Sequence, residues 1–167
     1  FYKFANAGQT CTAPDYILCD ESVHDDLVLA LRKNMSQFFA EGVDAAKKDY
    51  CSIANEHHFN RLKCSLADAL SDGAELACGG EISKEGLRFT PAVLTGVNYD
   101  NSIMKEEIFG PILPIIKVQS LDESINYVNE NEKPLALYLF SNKPAVHNEV
   151  LKGTSSGGMV INDCVLH

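Results

Sequence analysis

Cys11 follows the short turn Gly8-Gln9-Thr10 and precedes Thr12-Ala13-Pro14, just ahead of an apolar run at 16–19. A thiol at the end of a turn is open to a substrate and is fixed by the backbone around it, as a nucleophile must be. The thiolate is the reactive form, and a base, a cation or oriented backbone N–H groups must favour it. A tight turn can supply such N–H groups, and the N–H of Cys11 itself could help to stabilise an oxyanion. Against this stands the ordinary role of a free cysteine as a small buried hydrophobe. No base lies near Cys11 in sequence. Far along the chain, Lys105-Glu106-Glu107-Ile108-Phe109-Gly110-Pro111 sets two carboxylates and an aromatic ring before a Gly-Pro turn. Taken alone, Glu106 and Glu107 read as a solvated acidic pair, and Phe109 reads as a core residue. His57-His58 opens an amphipathic helix, where exposure suits it better than acid/base chemistry. Asp122-Glu123 fits the acidic preference of a helix start.

These residues need a frame to hold them, and the patterning predicts one. Residues 1–7 read as the last turns of a helix that Gly8 closes. A short strand is expected over 16–19. Ser22 with Asp25 then signals a helix start, with Leu27, Leu31, Met35 and Phe38 on one face and Gly42 ending the run. A second helix follows Asn55, turning Phe59, Leu62, Leu66 and Ala69 inward until Gly73. Residues 74–78 read as a strand closed by Gly79-Gly80. Residues 88–97 read as extended chain, placed by Pro91 at an edge or a bend. Beyond 112 the pattern is regular. A strand over 112–118, interrupted by Pro114, leads to a helix opened by Ser120 and Glu123 and carrying Leu121, Ile125 and Val128 on one face. Residues 135–140 are apolar on both faces, as in a strand buried between helix layers. A helix over 144–152 ends at Gly153, and 158–161 is the next strand. Alternating strands and helices predict an α/β fold with a mainly parallel sheet and helices on both faces. No internal repeat or linker interrupts it, so 1–167 reads as one domain.

Composition narrows the function classes. The 167 residues suffice for a real core, and 46% hydrophobic with 22% charged content is that of a soluble globular protein. A formal charge of -9 argues against a nucleic-acid partner, which demands a basic face. No apolar run approaches the roughly 20 residues that span a bilayer, and the opening Phe1-Tyr2-Lys3-Phe4 runs directly into the cysteine motif, so it is not expected to be a signal peptide. The six cysteines, Cys11, Cys19, Cys51, Cys64, Cys78 and Cys164, read as free thiols in a reducing cytoplasm. Their spacing contains no Cys-x-x-Cys pair, so a metal site is not expected. The chain opens without Met and stops at His167, from which we expect both ends to be cut relative to a longer parent.

Four groups of residues in order resemble the aldehyde dehydrogenase superfamily: Phe4, Asn6, Gly8-Gln9 and Cys11; Glu106 to Pro111; Pro134-Leu135-Ala136-Leu137-Tyr138; and Ser156-Gly157-Gly158 with Ile161-Asn162. The wording Thr10-Cys11-Thr12-Ala13-Pro14-Asp15-Tyr16 and the ending Ile161-Asn162-Asp163-Cys164 look most like the class 3 or fatty-aldehyde branch. The resemblance implies oxidation of a small-molecule aldehyde to a carboxylic acid with NAD or NADP as hydride acceptor. It implies Cys11 as the nucleophile, through a thiohemiacetal and a thioester. Glu107 would hold the nicotinamide ribose hydroxyls, a role that suits an acceptor-only carboxylate, and Phe109 would pack near the nicotinamide. Gly110-Pro111 would shape the turn that presents them. The resemblance also implies a catalytic domain whose dinucleotide-binding half lies outside the chain, so that the chain alone is inactive, and a homodimeric parent. Gly79-Gly80 and Gly157-Gly158 lack the strand-turn-helix setting of a phosphate loop. Two alternatives stay open at this point: a CoA-acylating or reductive relative that keeps the thioester, and a non-catalytic domain that keeps the fold.

Overall fold

The computed structural model of the protein describes residues 1–38 and 50–165. Its centre is a four-stranded sheet of β1 (Ile17–Asp20), β6 (Ile112–Val118), β5 (Ala92–Thr95) and β2 (Glu75–Gly79), in that spatial order. The pairs β1/β6 and β5/β6 are parallel, while β2 runs antiparallel to β5 at the edge. A small hairpin, β3 (Ile82–Ser83) and β4 (Arg88–Phe89), joins β2 to β5. A separate parallel pair, β7 (Ala136–Leu139) and β8 (Gly158–Ile161), follows later in the chain. The sheet is mainly parallel, as the alternation of elements predicts.

Two-residue alternation divides the sheet into two faces. Val93, Leu113, Ile115 and Cys19 point to one side, where Val28 and Met35 of α1 (Glu21–Phe38) cover them. Ala92, Leu94, Ile112 and Ile116 point to the other, under Phe59, Leu62, Leu66 and Ala69 of α2 (Glu56–Ser71). Helices therefore lie on both faces. Asn55 caps α2, its side chain accepting the His58 N–H at 2.9 Å, and the four inward residues are those the periodicity predicts. Ser120 likewise caps α3 (Leu121–Glu130) by accepting the Glu123 N–H at 3.1 Å. The last helix, α4 (Pro144–Gly153), starts on its proline, whose missing N–H would have no helical partner there.

Several expectations change. Residues 1–7 do not end a helix; Ala5–Gly8 is a single 3-10 turn. Asp20 accepts the Ser22 N–H at 2.9 Å, so α1 begins one residue before Ser22. Phe38 is exposed, and the expected stop at Gly42 lies outside the described residues. Pro91 lies between β4 and β5, just ahead of an interior strand. Pro114 does not interrupt β6. It falls where the β5 register ends and just before the β1 register begins at Ile115, so the absent N–H costs neither ladder a central bond. Finally, β7 is half-buried, with Leu135 and Phe140 at its ends exposed, and not enclosed between helix layers.

Candidate active site

The cysteine loop is built on an unusual stretch of backbone. Asn6, Ala7 and Gly8 all take the left-handed conformation, at φ 51°, 53° and 69°. Only glycine adopts it without steric cost, and alanine does so rarely. Such strain persists only when surrounding contacts over-determine it, and it gathers at functional sites. Those contacts are visible. Ala7 is fully buried. The Asn6 side-chain amide donates to the Gln9 carbonyl at 3.1 Å. The Gln9 amide donates to the carbonyls of Asn6 and Ser52, and its oxygen accepts the Ala54 N–H at 2.8 Å. Gln9 thus ties the turn to the segment that leads into α2. Beyond it, Cys11 is exposed, and its N–H enters no hydrogen bond among the described residues.

The 105–111 segment meets this loop backbone to backbone. A Cβ built on Gly8 would overlap the carbonyl oxygen of Gly110, so only glycine permits the approach. The Asp15 carboxylate accepts the Ile108 N–H, with both oxygens at 3.3 Å. From α2, Arg61 donates to the Ile108 carbonyl at 2.6 Å and to the Glu107 carbonyl at 3.4 Å. The Pro111 carbonyl takes the Ala92 N–H at 2.8 Å, which launches β6 beside β5. Within this frame Ile108 is buried, whereas Glu107 and Phe109 are exposed. The left-handed residue of the turn is Phe109 itself, at φ 44°, and not Gly110. Gly110 serves close approach instead, since a side chain there would run into Leu62.

The two predicted motifs are therefore joined through Gly8, Gly110, Asp15 and Ile108. His57 and His58 stay exposed on the first turn of α2, with rings 5.5 Å apart. All six cysteines are free thiols, and Cys11 and Cys64 are the exposed ones. Sequence reasoning missed four supports. Lys3 is buried, its Nζ lying 3.6 Å from Asp15 Oδ1. Burial lowers its pKa to about 8, opposed by the carboxylates of Asp15 and Glu107. Its signal in the sequence was a single charge inside the apolar run Phe1-Tyr2-Lys3-Phe4. Arg61 carried no signal, because its partners are backbone carbonyls distant in sequence, and Asp15 stood in the family wording without any sign of its partners at Lys3 and Ile108.

The fourth support is Tyr138 on β7. Its hydroxyl donates to the Thr12 carbonyl at 2.6 Å and accepts the Val165 N–H, while burial raises its pKa. Tyr138→Phe should cost about 1–2 kcal/mol, the net worth of the two lost bonds, read as a lower urea midpoint at unchanged slope. An unchanged midpoint would mean that the latch does not hold the loop.

The sequence profile described as the aldehyde dehydrogenase family matches residues 1–166. Over 165 residues the chain is 43% identical to the rat aldehyde dehydrogenase described as dimeric and NADP-preferring, covering 99% of this chain and 35% of that one. Rat aldehyde dehydrogenase family 3 member A2 is 44% identical over 165 residues, covering 99% of this chain and 33% of its own. A solved structure of Staphylococcus aureus AldH in a substrate-bound state superposes with a TM-score of 0.93 at 44% identity. That match covers 100% of this chain and 36% of the other. The chain thus spans about a third of the length of these relatives.

Proposed function

The chain belongs to the aldehyde dehydrogenase family, with the wording of its class 3 and fatty-aldehyde branch, and we propose that it is the thiol-bearing catalytic domain of a parent enzyme that oxidises an aldehyde to a carboxylic acid. The observation that carries this reading is the docking of the cysteine loop on the 105–111 turn, Gly8 against Gly110. In this reading the Cys11 thiolate adds to the carbonyl carbon and forms a thiohemiacetal. The Cys11 N–H, with no other partner among the described residues, donates to the developing oxyanion. NAD(P)+, when bound, accepts the hydride that leaves the former carbonyl carbon. Sulfur is then the leaving group when water opens the thioester, and the carboxylic acid departs with Cys11 restored.

The residues present fit the ribose end of such a cofactor. The Glu107 carboxylate is exposed and makes no hydrogen bond among the described residues, so both its oxygens are available to hydroxyl donors. The half-exposed Phe109 ring, fixed by its left-handed backbone, supplies an apolar surface beside it. The cofactor phosphates and the groups that activate water are assigned to the part of the parent outside this chain. A homodimeric parent is supported by the dimeric relative, and a cytoplasmic location by the six free thiols. No helix among the described residues is long and apolar enough to cross a membrane.

The test is acyl-enzyme mapping. The parent protein is turned over with an aldehyde and NAD(P)+, quenched in acid, and its peptides are searched for a thioester. The acyl group is expected on Cys11, and an acyl group on another cysteine would overturn the assignment. We further expect the 167-residue chain alone to give no steady aldehyde-dependent NAD(P)H, measured at 340 nm. Sustained turnover by it would show that the ribose end suffices.

A further inference from the structure

Lys3 is the charged group on which the two motifs converge. It leaves the cysteine-loop side of the molecule, is 95% buried, and its Nζ lies 3.6 Å from Asp15 Oδ1 and 3.5 Å from the Asp15 carbonyl. Asp15 in turn accepts the Ile108 N–H on both oxygens. The next residue back along the chain is Glu107, whose carboxylate lies within electrostatic reach of the Lys3 ammonium. The charged groups facing Lys3 are thus Asp15 from the cysteine loop and Glu107 from the turn. Arg61, on α2, holds the Glu107 and Ile108 carbonyls without facing Lys3.

We propose that Lys3 is a positioning residue, whose ammonium holds the Asp15 carboxylate beneath the Ile108 N–H and so fixes the turn that presents Glu107 to the cofactor ribose. The inference rests on the reading of Glu107 given above. Burying an ammonium is costly, and a purely structural contact would not call for one. What a buried charge does here is fix the Asp15 carboxylate, which in turn holds the Ile108 N–H on both oxygens. Glu107 is the residue before Ile108 and is itself exposed, so its carboxylate is placed by the backbone that Asp15 holds. Loss of the Lys3 charge therefore loosens the turn that carries Glu107.

The balance is poised near working pH. Burial brings the Lys3 pKa down to about 8 from 10.5, against the two carboxylates that raise it. Between about pH 8 and 10.5 the folded chain holds fewer protons at Lys3 than the unfolded one, so this deprotonation does not weaken the fold. A fall in cofactor affinity across that window is then a change at the site and not unfolding.

The experiment is direct NAD+ binding to the full-length parent by calorimetry from pH 6.5 to 9.5, without aldehyde. Wild-type affinity should fall about tenfold through an inflection near pH 8, the size of one lost charge contact. Lys3→Arg, which keeps its charge throughout, should hold most of the neutral-pH affinity and show no inflection. Lys3→Met should bind at pH 7 as weakly as wild type at pH 9.5, again without inflection. Glu107→Gln separates the two readings. If it binds NAD+ as wild type does, the ribose role of Glu107 is wrong and the inference goes with it. If it weakens binding while wild type stays flat across the range, Glu107 keeps its role and Lys3 does not position it. An inflection that persists in Lys3→Arg would assign the titration to another group and overturn the proposal, even should Lys3→Met fail to fold.

Discussion

Cys11→Ser in the parent protein should lower aldehyde-dependent NAD(P)H formation by about a thousandfold or more while leaving the thermal midpoint almost unchanged. The side chain is exposed and makes no hydrogen bond among the described residues, so exchanging sulfur for oxygen removes no packing and no partner. Substitutions of that kind fall within about 0.5 kcal/mol of neutral. The chemistry is lost at two points. A serine hydroxyl ionises far less readily than a thiol and attacks the carbonyl poorly without a base. Were an ester formed, its alkoxide would leave less readily than a thiolate. The loss should appear in kcat, with NAD+ affinity measured by calorimetry unaltered, because Cys11 is not assigned to the cofactor. A fall of less than tenfold would remove Cys11 from the nucleophile's role. A large fall accompanied by a lowered midpoint would point to a structural thiol instead.

Gly8→Ala should destabilise the protein by about 2–4 kcal/mol. Two costs combine. The backbone is left-handed at φ 69°, which charges any L residue about 1 kcal/mol. The added methyl would also collide with the Gly110 carbonyl, lying 2.6 Å from its carbon and 3.0 Å from the Lys3 oxygen. All three obstacles are backbone atoms and cannot rotate aside, so the overpacking penalty of about 1–3 kcal/mol applies in full. Gly73 provides the control, since it is also left-handed, at φ 98°, yet nothing lies within 4 Å of its missing Cβ. Gly73→Ala should therefore cost only the conformational part. The difference between the two urea midpoints measures the docking of the cysteine loop on the turn. Because that docking joins the two halves of the site, Gly8→Ala should also slow turnover at temperatures where the protein remains folded. Equal midpoints for the two variants would mean that the loops do not meet as described.

Much of the frame was legible because it is written in local periodicities. The cap at Asn55 and the inward row Phe59, Leu62, Leu66 and Ala69 follow from a 3.6-residue repeat and a capping side chain. Ser120 with Glu123 announced α3 for the same reason. Strand order was not legible, and the errors followed from that. Pro114 signals a broken strand when read alone. Its true setting depends on where the neighbouring registers begin and end, which no local pattern records. The left-handed Asn6 and Ala7 were equally hidden, since neither residue type demands that conformation and only the packing around them enforces it.

The site divides along the same line. By itself the sequence offered a turn-borne thiol at Cys11 as a candidate nucleophile, because reactivity belongs to residue type and reach to an adjoining turn, while Glu107 and Phe109 were singled out only by the family resemblance. Only the tertiary structure decided what those groups answer to. It brought Gly8 onto Gly110, set Asp15 beneath Ile108, latched Thr12 to Tyr138 and buried Lys3 beside Asp15. The physical reason is that contact between backbones, and the lowering of a lysine's pKa by burial, depend on segments distant in the chain sharing one small volume.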